Sequence, residues 1–250
     1  MLSQGIWWSS IVLEVFLLAR AASARLIFRY PVFYGYISFV LSQSILRSLV
    51  HRWYEQGYKR VYWTTEFLGL AMGCWIVFEV YRVALAAYPG TARMARKILV
   101  FLFVLAASKA AAALWSDPHL LVETTPLQVE RALRTVQAIS IAALVAVFVF
   151  YSIPFGRNLR GILLGYGLFV GERVICLTFV PPQGHHFWFY AASASYPVAL
   201  SLWLFYMWSY QPSPVTKDSL QLEYDYQRIA AATRRRLQET SGYLRRVVRS

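Results

Sequence analysis

The chain has 250 residues, of which 58% are apolar, 17% aromatic and only 15% charged, and its mean hydropathy is +0.44. A soluble domain of this size has too little interior to hide so much apolar surface. A disordered chain or a disulfide scaffold is excluded by the same hydropathy and by the presence of only 2 cysteines. Lysine and arginine number 25 against 12 acids, a net charge of +13. That excess falls between apolar runs and in the C-terminal tail, where membrane topology is encoded. No nucleic-acid reading motif accompanies it, so nucleic acid is not expected as a partner.

Seven apolar runs follow in chain order, each near the roughly 20 residues needed to cross about 30 Å of hydrocarbon. The first spans about 5–25. Its core, Ile6 to Leu18, followed by Ala22-Ser23-Ala24, has the outline of a signal peptide. The first five residues carry no Lys or Arg, however, and Glu14 interrupts the run, so we read it as a span. The second, about 31–50, follows Arg29-Tyr30-Pro31, and the third, about 61–85, follows Glu55-Gln56-Gly57. The fourth, about 97–115, follows Pro89-Gly90, and the fifth, about 132–154, follows Asp117-Pro118. The sixth, about 161–181, follows Pro154 and Gly156; the seventh, about 191–210, follows Pro181-Pro182-Gln183-Gly184 and contains Pro197, expected to kink it. Backbone groups in lipid must be satisfied within each segment, and the runs are too long and too evenly apolar for barrel strands. The expected fold is an all-α, seven-transmembrane helix bundle over residues 1–210.

Residues 211–250 form a basic tail. Gln211-Pro212-Ser213-Pro214 ends the last span. Ile229, Leu237, Leu244, Val247 and Val248 recur at roughly helical spacing beside Arg234-Arg235-Arg236 and Arg245-Arg246, and Gly242 interrupts the pattern. A partly helical, basic amphipathic tail of this kind lies on anionic lipid headgroups or docks a cytoplasmic protein partner.

Seven crossings put the termini on opposite sides. One side holds Arg20, Arg25 and Arg29, then Arg82, Arg93, Arg96 and Lys97, then Arg157, Arg160 and the tail. The other holds Arg47, Arg52, Lys59 and Arg60, then Arg131 and Arg134. The richer side is expected to be cytoplasmic, with the N-terminus outside and the C-terminus inside a cell membrane. Trp7, Trp8, Trp53, Tyr54, Tyr58, Tyr62, Trp63, Trp115, Trp188 and Tyr190 gather at the expected outer interface, where amphipathic rings suit the headgroup layer.

Charges at bilayer depth are costly, about 2.5–3.5 kcal/mol each on insertion scales, and normally face the bundle interior in pairs. Glu79 and Arg82 stand three apart and are expected to pair at the inner interface. The remaining polar groups, Glu14, Gln43, Arg47, Glu66, Lys109, Glu172 and Arg173, form the candidate buried cluster. Glu14, Glu66 and Glu172 balance Arg47, Lys109 and Arg173, which predicts one polar core joining spans 1, 2, 3, 4 and 6. Gln43 and Arg47 share a face, whereas Glu172 and Arg173 diverge by about 100° and should reach different helices. Gly161, Gly165, Gly167 and Gly171 in the sixth span, Gly69 and Gly73 in the third, and Ala106, Ala107 and Ala110 to Ala113 in the fourth mark close helix packing. Cys74 and Cys176 lie within apolar runs as small packing residues.

No catalytic constellation emerges. His51, His119, His185 and His186 contain no H-x-x-x-H, and no serine-nucleophile elbow occurs. The seventh span has no lysine for a retinal-type linkage. Neither a metal nor a cofactor is expected. Gly35-Tyr36-Ile37-Ser38-Phe39-Val40 and Gly165-Tyr166-Gly167-Leu168-Phe169-Val170 match at four of six positions, the pattern of a three-plus-one-plus-three repeat seen in some transporters. Tyr58-x-x-x-Tyr62-Trp63-x-x-Glu66, followed by Phe78-Glu79-Val80-Tyr81-Arg82, resembles the third helix of a family of small bacterial seven-helix integral membrane proteins with no known activity. The resemblance implies a bacterial inner-membrane setting. The expected function is a non-catalytic, sensor-like or accessory membrane module. A small-solute or proton-coupled transporter using Glu14, Glu66, Lys109, Glu172 and Arg173 is the alternative, and an intramembrane enzyme the third.

Overall fold

In the computed structural model the apolar runs are α-helices: α1 Leu2–Ser23, α2 Pro31–Trp53, α3 Glu55–Ala84, α4 Pro89–Ser116, α5 Thr125–Phe150, α6 Arg157–Phe179 and α7 His186–Tyr206. A 3-10 turn, Leu26–Phe28, joins α1 to α2. The structure describes residues 2–86, 88–116, 125–150, 156–179, 186–211, 224–225, 227–233 and 235, with their side chains except those of 2–3, 55, 109–116, 125–127 and 186–191. Among the described residues there is no strand. Among the described residues four helices, over Gln4–Ser23, Gln56–Ala84, Gln128–Phe150 and Arg157–Phe179, are long and apolar enough to cross a membrane.

Helix limits depart from the apolar runs in one direction at three N-termini. α3 starts at Glu55 rather than near 61, α4 at Pro89 rather than near 97, and α5 at Thr125 rather than near 132. Hydropathy marks the stretch that lipid would solvate, while the hydrogen-bonded helix continues into polar residues beyond it. Pro89 and Pro126 stand at first and second helical positions, where the missing N–H costs nothing. The supposed Glu55-Gln56-Gly57 loop is the first turn of α3, and Tyr54 alone separates it from α2. α7 is displaced towards the N-terminus and ends at Tyr206, with Pro197 inside it. In the tail, 227–233 is helical with Ile229 exposed; Leu237, Leu244, Val247 and Val248 lie outside the described residues.

Consecutive helices are neighbours throughout, and α7 closes the ring by packing on α1. α3 also touches α5 and α6, whereas α4 rests on α3 and α5 at the periphery. The core between them is aromatic. Phe33, Tyr34, Tyr166 and Trp203 are almost fully buried, and Phe33 meets Trp203 edge to face at 5.0 Å.

Two polar side chains fix helix ends from a distance. The Tyr30 side chain does not cap α2. Instead the Glu79 carboxylate, reaching from α3, accepts the backbone N–H groups of Val32 at 3.0 Å and Phe33 at 2.8 Å. A negative group there satisfies free donors and complements the helix dipole. The expected Glu79–Arg82 pair exists, but at 3.7 Å with Arg82 largely exposed, so it is secondary. At the end of α7, Asn158 donates to the carbonyls of Tyr206 and Ser209 and accepts the N–H of Gln211.

Candidate polar cavity

The polar residues of the bundle recur at helical spacing and therefore share faces. Tyr36, Val40, Gln43 and Arg47 form one stripe on α2; Tyr62, Thr65, Glu66 and Gly69 form one on α3. On α5 the stripe is Glu130, Arg134 and Gln137, continued by Ile141, Leu144 and Phe148. On α6 it is Tyr166, Phe169 and Arg173. These faces converge at the end of the bundle that carries the N-terminus of α1. They enclose a cavity of about 230 Å³, completed by Trp7 and Ser10 of α1 and by Ala192, Ser193 and Tyr196 of α7.

Glu66 is the hub. Its Oε2 accepts Arg47 Nη2 at 3.1 Å, and its Oε1 accepts Arg134 Nη2 at 3.2 Å. Arg47 also donates from Nε to Thr65 Oγ1 at 2.9 Å and from Nη2 to the Tyr62 carbonyl at 2.9 Å. Its guanidinium lies 4.2 Å from the Tyr62 ring centroid. With its amide oxygen turned towards Arg47, Gln43 accepts Nη1 at 2.9 Å; the opposite orientation sets donor against donor. Arg134 Nε donates to Glu130 at 3.0 Å. One carboxylate thus locks α2, α3 and α5, and the desolvation of each ion is offset by several fixed partners.

Beneath the ion pairs the polarity becomes neutral. Tyr166 donates to Gln137 Oε1 at 3.0 Å, and the Gln137 amide donates to the Leu70 carbonyl and to Cys74. Tyr196 donates to buried Glu14 at 2.7 Å. Tyr36 meets Tyr166 at 6.3 Å and Phe169 meets Tyr196 at 5.4 Å, so rings floor the cavity. Phe33 and Trp203 close the bundle below, Trp203 lying 6.4 Å from Tyr196.

The expected single cluster is therefore divided. Gln43, Arg47, Glu66 and Arg173 line the cavity. Glu14 lies behind Tyr196, with its second oxygen lacking a hydrogen-bond partner. Glu172 turns aside to accept Ser195 and Cys176. Lys109 is on α4, its side chain outside the described residues. The expected match of three acids with three bases does not describe the ion pairs, because Glu130 and Arg134 enter them. Arg134, read from the sequence only as a basic charge of the outer side, is 6% exposed and turns into the bundle to meet Glu130 and Glu66. The signal that identifies it is the four-residue spacing of Glu130 and Arg134, continued by Gln137 and an apolar stripe.

A larger cavity, about 580 Å³, separates α3 from α4. Its wall is mainly apolar, and its one acid, Glu79, is committed to the backbone of α2. The smaller cavity has the convergent polar groups expected of a binding site. Among the described residues no group of three metal-ligating side chains occurs; Asp117, His119, Glu123 and His185 lie outside them. Fold and site together define an all-helical protein, with helices able to cross a membrane and a charged cavity between their ends. Comparison with protein-family models, curated proteins and solved structures finds no match for the chain.

Proposed function

We propose that this is a seven-span protein of the bacterial inner membrane, N-terminus outside and C-terminus cytoplasmic, acting as a non-catalytic, sensor-like or accessory module. A small polar ligand enters from the outer end and rests against Arg47, Glu66, Arg134 and Arg173. Because Arg47, Glu66 and Arg134 hold α2, α3 and α5 together, occupancy changes helix packing, and the basic tail relays the change at an anionic cytoplasmic leaflet. The observation that carries the reading is a charged cavity at one end, floored by packed aromatic rings. The orientation gains support from the ion pairs. Arg47 and Arg134 are neutralised within the bundle, which reduces the free basic charge of the outer side.

A transporter is the second reading. One pair of rings from the two matching six-residue segments meets, Tyr36 against Tyr166 at 6.3 Å, a contact that a junction of repeats would make. Access separates the two. In a Cys74→Ala/Cys176→Ala background, Ser44→Cys, which lines the cavity, should react with a membrane-impermeant maleimide added outside. It should not react in inside-out vesicles. Reaction from both sides would replace the sensor with an alternating-access transporter.

A further inference from the structure

Three arginines line the cavity, and the carboxylates that reach them neutralise two. Glu66 gives one oxygen to Arg47 and the other to Arg134, and Glu130 holds the Nε of Arg134. Arg173 stands outside this balance. Its Nε is buried and has no hydrogen-bond partner; its guanidinium rests 5.9 Å from the Phe169 ring centroid. The adjacent acid, Glu172, is turned to Ser195 and Cys176, and Glu14 is engaged by Tyr196. Arg173 as a whole is half-buried; its guanidinium keeps its proton, and a buried N–H left without an acceptor is costly. Arg134 lies 5.1 Å from the same Phe169 ring, and both arginines line the cavity, so two planar forks of N–H donors border it. Planar forks match oxyanions by paired, charge-assisted hydrogen bonds.

We propose that the cavity binds a small oxyanion, a carboxylate or phosphate group, held by Arg173 with Arg134 beside it. The anion supplies the hydrogen-bond acceptor that no described side chain gives Arg173. A volume of about 230 Å³ is below the roughly 300–1,000 Å³ of drug-sized pockets, and so fits a small metabolite or a headgroup phosphate. This ligand class rests on reading the cavity as the binding site, and the measurements below separate the two.

Full-length protein in phosphate-free maltoside micelles is titrated with sodium phosphate or acetate against choline chloride of matched ionic strength. The melting midpoint should rise by about 3–5 °C at tenfold excess over the dissociation constant. Maleimide labelling of Ser44→Cys should slow in parallel. Arg173→Gln should weaken the anion response at least about tenfold, and Arg173→Lys less. In a separate arm, phosphatidylglycerol replaces the soluble anion. An Arg173-dependent shift with the lipid alone identifies the oxyanion as a headgroup. A wild-type midpoint no higher in phosphate and acetate than in chloride, with no lipid shift either, overturns the proposal. So does an equal response in Arg173→Gln. Protection of Ser44→Cys is scored without any change at Arg173, which keeps the test decisive if Arg173→Gln does not fold. Protection by sorbitol or ethanolammonium and not by anions discards the oxyanion while the cavity reading stands. Two-sided labelling together with anion binding discards the sensor and retains the anion site.

Discussion

Replacing Glu66 by glutamine removes one charge and changes one atom in shape, so it isolates the electrostatic role of the hub. In the native bundle both carboxylate oxygens accept, Oε2 from Arg47 and Oε1 from Arg134, at 3.1 and 3.2 Å. Glutamine offers one acceptor and presents an NH₂ group to the other guanidinium, setting donor against donor. Two bonds between ions, of about 1.5–3 kcal/mol each, are exchanged for one from a charged guanidinium to a neutral amide oxygen, about 1.5 kcal/mol. The arginines keep their other contacts, Arg47 with Thr65, Tyr62 and Gln43, and Arg134 with Glu130. Neither is therefore stranded, and the Glu66 side chain is 16% exposed, which weakens the interaction further. Glu66→Gln should destabilise the bundle by about 2–4 kcal/mol, at or just below the usual cost of breaking a buried pair. Reversible unfolding in mixed micelles, followed against the mole fraction of SDS, measures it. Combining Glu66→Gln with Arg134→Gln should cost about 1–2 kcal/mol less than the sum of the single changes. A Glu66→Gln stability within about 0.5 kcal/mol of wild type, or an additive double mutant, would refute the ion-pair reasoning.

Two further contrasts are read by the same unfolding assay. Glu79→Ala removes two backbone hydrogen bonds from the start of α2 and should cost about 2–4 kcal/mol. Arg82→Ala, whose side chain is 60% exposed, should change stability by less than about 0.5 kcal/mol; the reverse order would restore the simple Glu79–Arg82 pair as the main contact. On α6, a methyl at Gly165 overlaps the Trp203 indole, whereas one at Gly171 meets nothing within 4 Å. Gly165→Ala should destabilise by about 1–3 kcal/mol through overpacking, and Gly171→Ala should be neutral or stabilising by up to about 1 kcal/mol through helix propensity. Equal effects at the two positions would mean that α6 and α7 do not pack as described.

The all-helical fold could be read from the sequence because the pattern is dense: long apolar runs, separated by proline, glycine and charge, have few other ways to satisfy their backbone. Helix starts could not be read so well. Hydropathy ends where the side chains turn polar, yet Lys59 and Arg60 on α3, and Glu130 and Arg131 on α5, extend the helix past that point. Close packing was legible only in part. The glycines of α6 look equivalent in sequence, but Gly165 accommodates Trp203 and Gly171 accommodates nothing, a difference set by which face of α6 meets α7.

The site exposes a deeper ambiguity. An arginine near a helix end serves either as a free topology charge or as a buried partner, and local hydropathy treats both alike. Arg52, just past the second apolar run, and Arg134, just inside the fifth, both stand at a run's edge, yet Arg52 is exposed and Arg134 is buried. What separates them is an acid at helical spacing on the same helix together with another on a neighbour. Glu130 lies one turn before Arg134, and Glu66 completes the pair from α3. The first half of that signal is local and visible in sequence; the second requires α3 and α5 to be adjacent. Arg173 has neither half, since Glu172 beside it points elsewhere and, among the described residues, no acid from another helix pairs with it. An arginine that lines a cavity without an acid of its own is therefore the residue through which an outside anion would act on the bundle. An anion held there would shift helix packing only to the extent that it binds one arrangement of the cavity-lining helices more tightly than another.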